Sequence, residues 1–248
     1  MGTVANLWRH PIKGVGCEEL ASVNLETGRC MPMDRHWAIA HETAKVDFDN
    51  PEWARCINFA RGARGYELMA VTSTFDDATG LITLMHPKLD TLIVNPDTDG
   101  PALVDWVAKI SNPDRAMPAR VFKAGQGMTD SSSQSLSIYA NASLDDLAKT
   151  IGQPMVQRRF RGNIWLDDMP AWGEFEWLGK HVRIGTAEFE ITEPVERCMA
   201  TTVNPDTGIS DADTLGVLNG HYGHQNFGVF GVVTKSGVVK TGDTARLI

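Results

Sequence analysis

Apolar and polar positions alternate over many short runs in this chain, and only a few stretches keep a helical spacing. Period-two patterns predict strands over residues 4–8, 66–72, 81–84, 91–94, 181–184, 189–192 and 227–234, with Lys235-Ser236-Gly237 as a hairpin turn after the last. Asn50-Pro51 opens a predicted helix that carries Trp53, Ile57 and Ala60 at helical spacing and ends at Gly62. Gly100-Pro101 opens a second, with Leu103, Val107 and Ile110 on one face, closed by Asn112-Pro113. Ser143 with Asp146 three residues on resembles a capping box at the start of a third, ended by Gly152. Many short strands and a minority of helices predict a mainly β fold of barrel-like architecture. Both periodicities break around residues 111–118, which predicts a β-rich N-terminal module over residues 1–112 and a second module over residues 113–248. Val-Asn-Pro-Asp-Thr occurs at 94–98 and again at 203–207, read as two similar turns rather than a repeat.

Composition narrows the function. A chain of 248 residues buries a substantial core, and its net charge of −8 with no Lys/Arg cluster speaks against nucleic acid as a partner. No apolar run reaches the length of a membrane span and no signal segment opens the chain, so no membrane association is expected. Cysteines at 17, 30, 56 and 198 show no Cys-x-x-Cys spacing, which predicts reduced thiols and a cytoplasmic location. His221 and His224 have a ligand-compatible spacing but lack acidic or cysteine partners, so they do not define a zinc site. Neither Gly14-Val15-Gly16 nor Gly125-Gln126-Gly127 has the strand-loop-helix context of a nucleotide site.

The run from Glu196 to Gly208 carries the most chemistry. Arg197 places a cation beside Cys198, which favours the thiolate, the form that attacks electrophiles and binds soft metals. Read blandly, the same residues are a buried cysteine at a strand end followed by a turn. Arg197-Cys198 ahead of Thr201-Thr202-Val203-Asn204-Pro205-Asp206-Thr207-Gly208 resembles the signature of the MOSC family, the domain related to the C-terminal part of molybdenum cofactor sulfurases and to the mitochondrial amidoxime reducing component. His10-Pro11-Ile12-Lys13-Gly14, Asp34-Arg35-His36-Trp37-Ala38-Ile39, Arg159-Phe160-Arg161-Gly162-Asn163 and Gly228-Val229-Phe230-Gly231 follow in the family's order. Gly14 stands where a Ser is usual, and Gly162 where Pro is usual.

The resemblance implies an N-terminal MOSC-associated β-rich domain followed by a MOSC-type β-barrel. It implies molybdenum held by molybdopterin, with Cys198 as the metal ligand and catalytic centre, and a two-electron exchange of an oxygen atom. A buried pterin phosphate needs paired cations. By resemblance Lys13, Arg35 and Arg161 approach the cofactor, joined by Gly14, Asn163, Arg197, Thr201 and, from a looser match, Thr129, Asp130 and Ser131. Asn163 has an alternative reading as a strand-end cap, and Asp206 is a candidate proton handler whose Asn-Pro-Asp turn explains it equally well. The expected activity is reduction of N-oxygenated or S-oxygenated small molecules such as N-oxides, hydroxylamines, amidoximes or sulfoxides. An alternative is a non-catalytic carrier of the molybdenum cofactor or of sulfur. Lacking iron–sulfur cysteine clusters and a Rossmann fingerprint, the chain is expected to draw electrons from an external electron-transfer protein.

Overall fold

A computed structural model describes all 248 residues, and its regular elements are mainly strands. In chain order these are β1 (Gly2–Arg9), β2 (Glu18–Leu20), β3 (Ser22–Leu25), β4 (Trp37–His41), β5 (Thr72–Asp76), β6 (Leu81–His86) and β7 (Leu89–Val94). Helix α1 (Gly100–Ala108), β8 (Pro118–Lys123), β9 (Leu136–Ala140), α2 (Asn141–Ile151), β10 (Ile164–Asp167), β11 (His181–Ile184) and β12 (Ala187–Glu196) follow. The short α3 (Thr214–Val217), β13 (Asn226–Lys235), β14 (Gly237–Lys240) and β15 (Thr244–Leu247) complete the chain.

Seven strands close on themselves in the order β10-β9-β13-β12-β11-β15-β1, and β1 returns to pair with β10. Closure leaves no unpaired edge in that circuit, so alternate side chains can fill a dry interior. Val4, Leu7, Ile138, Ile164, Leu166, Val182, Ile184, Phe189, Ile191, Val229 and Val233 do so, every one essentially inaccessible to water. The sheet pairing crosses residue 112: β1 and β2 come from the start of the chain yet belong to this barrel sheet. Conversely, β8 pairs with β4 in the other module, where the meander β5-β6-β7 and α1 enclose Trp37, Ile39, Ile82, Leu84, Leu103 and Val107. No helix is long and apolar enough to cross a membrane.

The second predicted helix forms, with Leu103, Val107 and Ile110 buried and Pro101 in its first turn. The third forms too, ending at Gly152 with φ 84°, but it starts directly after β9 at Asn141. Ser143 therefore lies inside it, where its hydroxyl donates to Glu174 and accepts from the Trp172 amide instead of capping. The helix predicted over 52–60 does not form beyond a short turn, Cys56–Asn58. Tertiary contacts take its residues separately: Phe59 bridges to Ala40 of β4, Trp53 Nε1 donates to Thr129 O, and Ile57 faces solvent. Residues 66–70 form a 3-10 turn burying Leu68, Met69 and Ala70 in succession, a run that cannot alternate, and the strand begins only at Thr72. Lys235-Ser236-Gly237 is not a hairpin: Lys235 ends β13, Gly237 opens β14, and β14 pairs with β3 rather than folding back on β13. The two Val-Asn-Pro-Asp-Thr segments adopt the same local turn: the Asp97 amide donates to Asn95 Oδ1 at 3.0 Å and the Asp206 amide to Asn204 Oδ1 at 2.9 Å.

Candidate functional site

Past β1 the chain makes a tight turn in which the Val15 amide donates to Ile12 O at 3.1 Å, leaving Lys13 and Gly14 at the corner. Gly14 has φ 74°, and a Cβ there would sit 2.6 Å from Ala60 O, so position 14 excludes a side chain and offers only backbone. Lys13, almost fully buried, donates to Met128 O at 2.7 Å and to Asp130 Oδ1 at 2.6 Å, tying this turn to the loop before β9. Thr129 in the same loop turns inward and donates to Ser131 O, while Ser131 Oγ reaches Glu193 at 3.3 Å.

Arg35 lies ahead of β4, outside any strand. Its φ of 52° puts it in the left-handed turn that delivers the chain into β4. The guanidinium pairs with buried Asp34 and also donates to Arg161 O at 3.0 Å. Arg161 shares the left-handed backbone, φ 52°, and its own guanidinium meets only carbonyls: Gly16 O at 3.0 Å and Ile12 O at 3.5 Å. Non-glycine residues with positive φ are uncommon, and two arginines in that state, hydrogen-bonded to each other, indicate a locally imposed geometry.

The electrostatics run the same way. Burial, then the charge of Arg35, pushes the Arg161 guanidinium down to about 10. Burial followed by repulsion from Arg161 and Arg35 takes His10 down to about 3 and so keeps it neutral. Asp34 would be raised by its burial, but Arg35 and the hydrogen bonds from His10 hold it well below the usual carboxylate range. Lys13, Arg35 and Arg197 all act on Asp130, and Asp130 in turn acts on Arg161. Four cations thus share the two carboxylates Asp34 and Asp130, and the surplus positive charge suits an anion.

The remaining candidates lie at the end of β12, where bulges around Ile191 to Glu196 carry the chain out of the barrel wall. Arg197 points inward. Its guanidinium donates to Tyr139 Oη at 3.0 Å and Phe160 O at 2.6 Å, and its Nε is buried without a partner. Cys198 is exposed and opens the turn Met199–Thr202, its carbonyl receiving both the amide and the hydroxyl of Thr201 at 3.0 Å. Thr201, fully buried and bonded to Thr214 Oγ1 at 2.7 Å, holds that turn rather than facing solvent. Gly62 of the N-terminal module approaches Ala200, so both modules border the thiol turn. Asp206 stands apart, exposed and paired with Arg158.

Asn163 spends its polar atoms inside the barrel wall. Oδ1 accepts the Ser137 amide and hydroxyl, both at 3.1 Å, and Nδ2 donates to Trp8 O at 3.2 Å, which favours the reading as a strand-end cap. Cys17 and Cys30 are buried thiols pushed up by that burial, Cys30 to about 11, and are unsuited to deprotonated chemistry. His224 packs its ring against Trp172 and Phe175.

Tyr139 escaped the sequence reading. Its ring fills a slot between Gly162 and Gly228, where an added Cβ would come within 2.2 Å of the ring on either side. Gly162 in place of the usual Pro leaves room for that ring, and the ring places the hydroxyl that fixes Arg197. The signal lay in two separated glycines and could not be paired without the fold.

Residues 125–246 match the MOSC domain, and residues 1–100 match the MOSC N-terminal beta barrel domain. Across its whole length the chain is 24% identical to mitochondrial amidoxime-reducing component 1 of Mus musculus and of Homo sapiens, covering 83% of each. It is 25% identical to mitochondrial amidoxime reducing component 2 of Bos taurus over 98% of this chain and 82% of that protein.

Proposed function

From the premise that this chain belongs to the MOSC family, with the MOSC N-terminal β-barrel domain ahead of the MOSC domain, we propose that it is a molybdenum-cofactor-dependent reductase of N-oxygenated or S-oxygenated small molecules. The observation that carries the reading is the under-compensated cation cluster around Arg161 in the same site region as an exposed thiol on a fixed turn. Lys13, Arg35 and Arg161 are of the right type to hold the phosphate of a molybdopterin, and the backbone at Gly14 permits close approach. Cys198 supplies the soft thiolate that suits molybdenum. When bound, the cofactor supplies two-electron oxygen-atom exchange. The protein binds, orients and sets the field: Arg197, held by Tyr139 and Phe160, anchors the backbone that presents Cys198, and Thr201 keeps the following turn closed.

The relatives named as amidoxime-reducing components support N-oxygenated compounds as the first substrates to try. The four free cysteines suit a reducing compartment, and we place the protein in the cytoplasm. We assign electron supply to a separate electron-transfer protein. Molybdenum-loaded protein should turn over an amidoxime or a sulfoxide with reduced viologen and not with NADH alone; sustained turnover with NADH, in protein freed of contaminating reductases, overturns that assignment. The exposure of Cys198 also suits the second reading, a carrier of cofactor or sulfur, and such a carrier would show no substrate-dependent oxidation of the viologen.

A further inference from the structure

Away from the cation cluster, the N-terminal module carries a half-open cleft of about 320 Å³ walled by the segments around His41–Thr43, Ile57–Leu68 and Ser111–Pro118. Three arginines line it, Arg61, Arg64 and Arg115, and no carboxylate does. That is unexpected for a chain with 31 acidic against 23 basic residues. Arg61 donates to the sulfur of Cys56 at 2.8 Å, a weak acceptor for a guanidinium, while the side chains of Arg64 and Arg115 form neither ion pair nor hydrogen bond within the fold. Glu42, next in sequence to the wall, is turned to the Met117 amide at 3.3 Å.

The walls are built turns. Arg61 O accepts the amides of both Arg64 and Gly65, which fixes Arg61 and Arg64 three residues apart, and the Arg115 amide donates to Asn112 O at 3.1 Å. Like charges gathered around one concavity repel, and the arrangement is relieved by a ligand that brings negative charge. Guanidinium forks match phosphate and carboxylate oxygens, and the volume is that of a small-molecule cleft rather than a macromolecular face.

We propose that this cleft is a second ligand site, for a small organic anion bearing phosphate or carboxylate groups. It stands independently of the molybdenum reading. The segment that forms its inner wall also packs against the candidate site: Ala60 and Arg61 lie against Gly14, and Gly62 lies beside Ala200. An anion bound here therefore braces the piece of chain that touches both the Lys13 turn and the Cys198 turn.

The test is calorimetric titration of the full-length protein with pyrophosphate and, separately, with citrate, at ionic strength held constant with chloride. Wild type should bind at least one of the two saturably, and which one it binds sorts phosphate from carboxylate chemistry. The exposed pair Arg64→Ala/Arg115→Ala should weaken that binding about tenfold or more, while Lys13→Ala/Arg161→Ala, which removes two of the four cations of the other cluster, should leave it in place. Should the double variant prove misfolded by circular dichroism, the single Arg64→Gln and Arg115→Gln variants serve, each expected to weaken binding severalfold. Binding no stronger than the chloride control, unchanged affinity in the Arg64 and Arg115 variants, or loss only in Lys13→Ala/Arg161→Ala overturns the proposal.

Discussion

The cation cluster and the thiol turn meet in one site region and are built in opposite ways. Around Lys13, Arg35 and Arg161 the groups are largely withdrawn from solvent, the backbone of two arginines is left-handed, and charges outnumber their partners. Around Cys198 the side chain is exposed, and the hydrogen bonds go to its carbonyl rather than to its sulfur. A buried charge already paid for by geometry is a poor place to change anything without structural cost, whereas an exposed thiol on a locally closed turn can be changed alone. Binding and chemistry should therefore separate under mutation.

The largest separation is expected at Cys198. Cys198→Ala should abolish reductase activity, a fall of about three orders of magnitude or more in turnover with viologen as donor. Its thermal midpoint should stay near that of the wild type, because no packing is removed. Substantial turnover in a folded Cys198→Ala protein would detach the thiol from the chemistry.

Next come the arginines, which differ from each other. Arg161→Ala removes a guanidinium that meets only carbonyls, so pterin retention should drop while the fold is largely kept. Arg35→Ala also strands the buried Asp34 carboxylate, which should add a stability loss of about 3–5 kcal/mol in chemical denaturation. Equal stability losses in the two variants would show that Asp34 does not depend on Arg35.

Tyr139→Phe keeps the ring between its two glycines and removes only one of the two acceptors of Arg197, leaving Phe160 O. A decrease in turnover of about tenfold with unchanged pterin content is expected, since the change loosens what holds Cys198 and not what holds the anion. Lost pterin together with preserved turnover per bound cofactor would reverse that division.

The smallest effect lies outside both regions and calibrates them. Glu174 is fully buried, one oxygen unpartnered, and burial raises its carboxyl to about 7 from an ordinary 4.5. The folded protein thus binds a proton that the unfolded chain has released between those values, so this group's contribution is complete below about 4.5 and is lost as pH rises to about 7. Relative to wild type, Glu174→Gln should grow more stable across that interval, by up to about 3 kcal/mol, and level off above it. A difference that does not vary with pH would mean the carboxyl titrates normally.

How much of this was legible beforehand depended on whether the signal was local. Helix α1 and the strands β6, β7, β11, β12 and β13 follow from periodicity and punctuation, because their buried faces repeat along one element. The order of motifs marked Lys13, Arg35, Arg161 and Cys198. What could not be read was anything set by pairing across the chain. Strand β1 closing on β10, Phe59 lying along β4 where helical spacing predicts a turn of helix, and Ser143 bonding Glu174 are such cases. Asn163 and Thr201 belong with them, since a polar side chain satisfied by distant strands or turns looks in sequence like one offered to a ligand.

On the proposed reading, this fold holds a molybdenum cofactor through separable anion-holding and metal-ligating parts. Metal and pterin analysis of wild type, Cys198→Ala and Arg161→Ala, each purified from a host that makes the cofactor, tests it most directly. The expected result is molybdenum and pterin together in the wild type, pterin reduced in Arg161→Ala, and pterin kept with molybdenum more readily lost in Cys198→Ala. Wild-type protein from that host carrying neither molybdenum nor pterin would contradict it.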